Sequence, residues 1–391
     1  MIIYIDEVEI NTKRILLRVD FNVSCNNDGS IKNDERIRKA LPTIKMLLDK
    51  GNKLFLVTHL GQPKEFDEAL TTKRLAERLQ ELINQPVVFV PFDKTFDPNF
   101  YSQASTSSNL FMLDNIRFHA GEKRNDPEFS KQLASLVDVY VDDAFGVCHR
   151  PDASVVGVSS ILPHYGGLLL KQEVETIRKV ILDPKHPVVA IIAGAKVSTK
   201  ISLIDRFMTL ADYVLIGGSM TNNFLKAQDY EIGKGLFEPE YMNEAKRLLE
   251  LDKDKQKLIL PIDQRTGSQT DVDTVPVVKK ITDIQIDDET LDIGPETEIL
   301  YANYIAQAKT IIWNGPLGYY ENPQFTKGSL AIYRAIANNL QAISIIGGGD
   351  TITVIKKQPD QDKITHISTG GGAMLELMEK GTLPGIEALE K

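Results

Sequence analysis

Three arginines, a histidine and an asparagine sit where short apolar runs end in the first half of this 391-residue sequence. Asp20, Phe21 and Asn22 follow one run, and Arg36 opens the helical stretch after it. His59, Leu60, Gly61 and Gln62 follow a second run, Asp114, Asn115 and Arg117 a third, and Asp142, Asp143 and then Arg150 a fourth. Guanidinium forks match phosphate and carboxylate oxygens two at a time, so this set suits a small anion with several oxygens. One such arginine alone reads as a solvated surface residue. The shared position after run ends gives the set its functional reading.

The second half places glycines in the same positions: Gly194-Ala195-Lys196, Gly217-Gly218, Asn314-Gly315-Pro316, Gly347-Gly348-Gly349-Asp350-Thr351 and Gly370-Gly371-Gly372. Glycine between a strand and a helix lets a ligand approach the backbone, and the free N–H groups of a helix start attract phosphate. A nucleotide is the expected occupant. Neither GxxxxGK[ST] nor GxGxxG occurs, so the Walker and dinucleotide-dehydrogenase readings lack their fingerprints. Asp350 follows three glycines, from where a carboxylate could hold magnesium against phosphates or cap a helix. Lys196 and Lys200, four apart, would share a helical face.

These loops need strands and helices to carry them. Ile15 to Val19, then Ile37, Leu41, Ile44, Leu47 and Leu48, then Leu54 to Thr58 read as a β-α-β unit, with Gly51 as the helix stop. Further apolar runs at Val87 to Val90, Leu110 to Leu113, Val137 to Val141, Val188 to Ala193, Tyr213 to Ile216, Lys257 to Leu260, Thr310 to Trp313 and Ile343 to Ile346 read as strands. Near-continuous apolar strands fit parallel sheets covered on both faces. The fold class is therefore α/β, and in such sheets ligands bind beyond the carboxyl ends of the strands. A helical segment from Leu168 to Leu182, ended by Asp183-Pro184, separates the two sets and is the expected domain connection.

A net charge of -9 argues against a chain devoted to nucleic-acid phosphates or an anionic membrane surface. No apolar run reaches the roughly 18 residues of a membrane span, and Met1 to Asn11 has no signal-peptide pattern, so a cytoplasmic location is expected. The 2 cysteines, Cys25 and Cys148, have no metal-site or disulfide spacing.

Taken in order, the motifs resemble the phosphoglycerate kinase family. They are Arg18-Val19-Asp20-Phe21-Asn22-Val23, His59-Leu60-Gly61, Asn115-Ile116-Arg117-Phe118, Asp143-Ala144-Phe145-Gly146 with His149-Arg150, and Gly194-Ala195-Lys196-Val197. Asp292-Ile293-Gly294-Pro295, Trp313-Asn314-Gly315-Pro316, Gly347 to Thr351, Ser368-Thr369-Gly370-Gly371-Gly372 and Leu383-Pro384-Gly385 continue the series to near the end.

The resemblance implies two Rossmann-like domains, each a parallel sheet flanked by helices. It implies an N-terminal phosphoglycerate-binding domain over 1–167 with 373–391 packing back on it, an interdomain helix over 168–182 and a nucleotide-binding domain over 183–372. Asp20, Phe21, Asn22, Arg36, His59, Leu60, Gly61, Gln62, Arg117 and Arg150 are expected at the phosphoglycerate. Gly194, Ala195, Lys196, Lys200, Gly217, Gly218, Asn314, Pro316, Glu321, Gly348, Gly349, Asp350 and Thr351 are expected at ATP or ADP, with Asp350 on magnesium. Arg36 and Lys200 are the expected catalytic pair, because an ionised carboxylate acceptor needs no general base and the demand is charge compensation and alignment. Hinge closure and a monomer are further implications. A nicotinamide-dependent oxidoreductase and a non-catalytic nucleotide binder are the rival readings.

The chain departs from the family pattern at Gln62, where arginine is usual, and at Ser24, Thr199, Ser219 and Asn222-Asn223. Gln62 removes one charge from the substrate rim, and Lys64 in the same loop is the expected replacement.

Overall fold

The computed structural model describes residues 1–26, 28–104 and 108–390, and it divides into two compact units, Met1–Glu175 with Lys380–Lys391, and Thr176–Glu379.

The first unit carries β1 (Arg14–Arg18), β2 (Lys53–Val57), β3 (Val88–Val90), β4 (Leu110–Leu113), β5 (Val139–Asp142) and β6 (His164–Gly166). They form one all-parallel sheet in the order β3-β4-β2-β1-β5-β6. The helix Glu35–Asp49 crosses from β1 to β2 and buries Ile37, Ala40, Thr43, Ile44 and Leu47, one face at helical spacing. It stops ahead of Gly51, whose φ of 74° suits a residue without Cβ. The C-terminal helix Pro384–Leu389 belongs to this unit, with Gly385 N donating to Cys148 O at 2.8 Å.

The second unit carries β7 (Val188–Ala193), β8 (Tyr213–Gly217), β9 (Leu258–Ile259), β10 (Asp263–Thr266), β11 (Val277–Lys280), β12 (Thr290–Ile293), β13 (Thr310–Asn314), β14 (Ile343–Gly347) and β15 (His366–Ile367). Six of them form a second parallel sheet, β15-β14-β13-β7-β8-β9. All six residues of β7 are buried, which explains its unbroken apolar run. Fully burying each of its four valines and isoleucines is worth roughly 1.5–3 kcal/mol, and a charge anywhere in β7 would be strongly destabilising.

The expected strands are found within a residue or two of their expected ends. Not anticipated were β6, β15 and a three-stranded antiparallel sheet, β11-β10-β12. β10 reads Asp-Gln-Arg-Thr, which hydropathy marks as loop, yet all four residues are buried. Three of them have internal partners. Asp263 accepts from Glu296 N at 3.0 Å and Thr297 N at 2.8 Å, Arg265 donates to Glu298 Oε1 at 2.6 Å, and the Thr266 hydroxyl donates to Val277 O at 3.2 Å. β11 is mostly exposed and so has no buried face to create a pattern. The helix Leu168–Leu182 forms as expected and contains the Glu175/Thr176 boundary between the units.

Candidate functional site

In the first unit the loops after β1, β2, β4 and β5 bring the expected anion-binding residues together around His59. The histidine is 2% exposed, and burial, then the charges of Arg18, Arg117, Arg150 and Arg36, hold its pKa far below the usual imidazole range. Arg18 Nη2 lies 3.4 Å from His59 Nδ1, while Arg18 Nη1 donates to Val19 O at 2.7 Å and Val57 O at 3.1 Å. Arg117 is buried, donates through Nη1 to Gly61 O at 2.8 Å, and has its pKa lowered to about 10 by burial and by Arg150. Its Nε and Nη2 have no hydrogen-bond partner among the described residues, and Asp152 stands 3.9 Å from Nη2. Arg150 Nε donates to His149 Nε2 at 3.3 Å.

Backbone and side-chain hydrogen bonds hold the loop geometry. Arg36 pairs with Asp20 Oδ2, Asn22 N donates to Asp20 Oδ1 at 3.2 Å, and Gly61 N donates to Asn22 Oδ1 at 2.9 Å. Phe21 is buried, with its N–H on Thr58 Oγ1 at 2.9 Å, so it is a packing residue of the loop. Leu60 is also buried, and its carbonyl accepts from Asn115 Nδ2 at 2.7 Å. Gln62 is exposed and accepts from Lys123 Nζ at 3.2 Å, so its cationic neighbour is Lys123, sixty-one positions on, where the loop sequence had suggested Lys64.

In the second unit the glycine-bearing loops line two cavities. One, of about 390 Å³, is lined by Gly194, Ala195, Lys196, Lys200, Asn314, Pro316, Gly348, Gly349, Asp350 and Thr351, together with Gly371 and Gly372. The Lys200 ammonium donates to Asn314 Oδ1, Asn314 Nδ2 donates to Gly347 O at 2.9 Å, and Gly315 N donates to Thr351 Oγ1 at 2.8 Å. Burial lowers the Lys200 pKa, and the Asp350 charge opposes that shift. Asp350 Oδ1 accepts from the Tyr320 hydroxyl at 3.0 Å, and burial followed by this bond pushes Tyr320 up to about 12.

The second cavity, of about 420 Å³, shares Gly194, Ala195, Pro316 and Asp350 with the first and adds Gly218, Leu236, Leu291 and Glu321. Gly218 has φ 71°, and a Cβ there would lie 2.5 Å from Gly194 O, so the two loops can touch only as glycine. Gly217 is buried at the end of β8 and lines neither cavity. Asn222 and Asn223 are buried, and they donate to Leu236 O at 2.9 Å and Glu238 O at 2.7 Å. These asparagines therefore fix the loop that carries Leu236 over the cavity.

Three participants were not singled out from sequence: Arg18 and Lys123 in the first unit and Tyr320 in the second. Arg18 had a visible signal, a cation closing an otherwise apolar strand run. Tyr320 and Lys123 had none, because each acts through a partner distant in sequence.

Among the described residues no group of three or more His, Cys, Asp or Glu side chains is arranged to hold a metal ion, and no helix is long and apolar enough to cross a membrane. The phosphoglycerate kinase family model matches residues 5–381. A phosphoglycerate kinase of Dictyoglomus turgidum is 44% identical over 385 residues, covering 98% of this chain and 96% of its own. That of Enterococcus faecalis is 43% identical over 392 residues, covering 98% of each. Among solved structures, phosphoglycerate kinase from Coxiella burnetii superposes with a TM-score of 0.88 at 34% identity, covering 100% of this chain and 99% of that one. The enzyme from Pyrococcus horikoshii OT3 gives 0.86 at 30% identity, covering 99% and 98%. None of these relatives is a nicotinamide-dependent oxidoreductase. The chain belongs to the phosphoglycerate kinase family, glycolytic phosphotransferases that use ATP and a carboxyl group as acceptor.

Proposed function

We propose that the first unit binds 3-phosphoglycerate or 1,3-bisphosphoglycerate through Asp20, Asn22, Arg36, His59, Arg117 and Arg150, and that the second unit binds the nucleotide through the residues lining its two cavities. The supporting observation is Arg117. A buried guanidinium with two unpartnered nitrogens among like charges is unfavourable by itself, and an oxyanion is the natural complement. Phe21 and Leu60 then shape the loops, and Gly217 acts by admitting the neighbouring chain.

The chemistry assigns few tasks to the protein. A carboxylate oxygen of 3-phosphoglycerate attacks the γ-phosphorus of ATP, the bond from that phosphorus to the β–γ bridging oxygen breaks, and ADP leaves with the electron pair. The reverse reaction exchanges the two roles. No proton is removed from the nucleophile, so His59 serves as an anion contact and no base is required. Lys200 and Arg36 neutralise charge on the transferring phosphoryl and the oxygens flanking it, which is the main demand of phosphoryl transfer.

Magnesium binds through one or two carboxylates, several waters and the substrate phosphates, so a single carboxylate in a cavity with Lys200 and Thr351 is an adequate donor. Asp350 would hold it, and the ion would supply charge neutralisation on the phosphates. Direct transfer requires the two ligands to meet with water excluded, and we include a hinge at Leu168–Leu182, a monomeric state and a cytoplasmic location in the proposal.

An assay of ATP-dependent 3-phosphoglycerate phosphorylation, paired with calorimetry on Arg117→Ala, tests the assignment. Arg117→Ala should lose phosphoglycerate binding by at least about tenfold and keep ADP affinity. Unchanged phosphoglycerate affinity would remove Arg117 and the cluster from the substrate site.

A further inference from the structure

Side chains alternate between the two faces of a strand. In β10, Asp263 and Arg265 both reach the start of the helix Pro295–Gln307, through Thr297 N and Glu298 Oε1. Gln264 between them is on the other face, 6% exposed, and lines the cavity of about 420 Å³. Its side-chain amide makes no hydrogen bond to any described residue, in contrast to each of its three neighbours in the strand. Neither amide atom is among the fully enclosed unpartnered polar atoms of the structure, so the amide opens onto the cavity, where a ligand group can take the place of solvent. The surrounding wall includes Leu236, Leu291 and Pro316, apolar surface suited to the face of a heterocycle.

Resting on the nucleotide assignment above, we propose that Gln264 reads the edge of the purine base at position 6. The amide offers an N–H donor and a carbonyl acceptor side by side. Adenine presents the complement, a 6-amino donor beside a ring-nitrogen acceptor. No described residue fixes which way the amide faces. A half-turn lets it meet a 6-oxopurine, whose carbonyl accepts and whose ring N–H donates. A purine with only hydrogen at position 6 satisfies one of the two groups and leaves the other buried and unpaired. The site therefore takes adenine and hypoxanthine nucleotides alike and discriminates against the unsubstituted purine.

Calorimetric titration of the full chain with ADP, IDP and purine-riboside diphosphate at fixed magnesium and salt tests this. The expected result is ADP and IDP within about threefold of each other and purine-riboside diphosphate weaker by about threefold to tenfold, the range of one neutral hydrogen bond. Gln264→Met, similar in volume, should abolish that gap. Equal binding of all three diphosphates by the wild-type chain overturns the proposal without any variant. A gap that persists in Gln264→Met overturns it as well. Failure of the wild-type chain to bind any of the three would instead sink the underlying nucleotide assignment, and this inference with it.

Discussion

Lys123 Nζ donates to the Gln62 side-chain carbonyl at 3.2 Å, beside Gly61, whose own carbonyl accepts from Arg117. A lysine on the neighbouring loop thus brings a cation beside position 62, where the family pattern would have an arginine. Lys123→Ala should raise KM for 3-phosphoglycerate by about fivefold at low salt, with KM for ATP within about twofold. Gln62→Arg should lower the same KM, and by more in the Lys123→Ala background, because charge-assisted bonds are roughly twice as strong as neutral ones. The double-mutant cycle reads the dependence directly. An unchanged phosphoglycerate KM in Lys123→Ala at low salt would show that the lysine serves only the surface.

The Lys200–Asn314 bond suggests what each residue does for turnover. Asn314 is itself anchored on Gly347 O, so it holds the lysine within the cavity it shares with Asp350. Lys200→Ala should lower kcat by at least about a hundredfold, the scale of one strong electrostatic contact, while ADP affinity falls far less. Asn314→Ala should give a smaller kcat loss by freeing the lysine to wander. A Lys200→Ala enzyme within about threefold of the parent kcat would exclude the residue from the transfer step.

Asp350 faces the same cavity while its Oδ1 accepts from Tyr320. Asp350→Asn should shift the magnesium dependence of activity to higher concentration and leave 3-phosphoglycerate affinity nearly unaltered, since the residues proposed for phosphoglycerate all lie in the other unit. Tyr320→Phe removes the tie and keeps the carboxylate, so it should move the magnesium midpoint less than Asp350→Asn does. Identical magnesium titrations for wild type and Asp350→Asn would leave Asp350 as a structural residue at the helix start.

How far the sequence could be read depended on whether a residue's partner was near or far along the chain. The runs that became β1, β2, β4, β7, β8, β13 and β14 were legible because both faces of each strand are buried, and the residues after them were legible because open α/β sheets put ligands there. β10 was not, since the side chains of Asp263 and Arg265 are satisfied by Glu296, Thr297 and Glu298, about thirty residues further on. The same limit hid Tyr320 and sent attention from Gln62 to Lys64 when its partner is Lys123. Gly217 and Gly218 looked alike as a pair. Only coordinates separate the one packed under Leu317 from the one that lines the cavity.

His59 offers the strictest test of the claim that the reaction needs no base. An arginine can only donate, so the approach of Arg18 Nη2 to His59 Nδ1 makes Nδ1 the acceptor and places the imidazole proton on Nε2. Burial and four guanidinium charges keep the ring neutral. The unfolded chain has an ordinary imidazole with pKa about 6.5, so below that pH the unfolded state takes up a proton that the folded state does not. The contribution of this residue to stability is therefore complete above about pH 6.5 and is lost as pH falls, with a slope approaching about 1.4 kcal/mol per unit. His59→Gln should flatten the decline in unfolding free energy between about pH 6.5 and 5 by up to about 2 kcal/mol relative to wild type, with His119, half-buried and lowered to about 4 by desolvation, contributing equally to both curves. Nitrogen chemical shifts of the ligand-free protein should show Nδ1 unprotonated, Nε2 protonated and no titration from about pH 5 to 8. The kcat/KM profile should likewise carry no limb from this residue in that range. An imidazole that titrates near 6.5, or a proton found on Nδ1, would reopen the search for a general base.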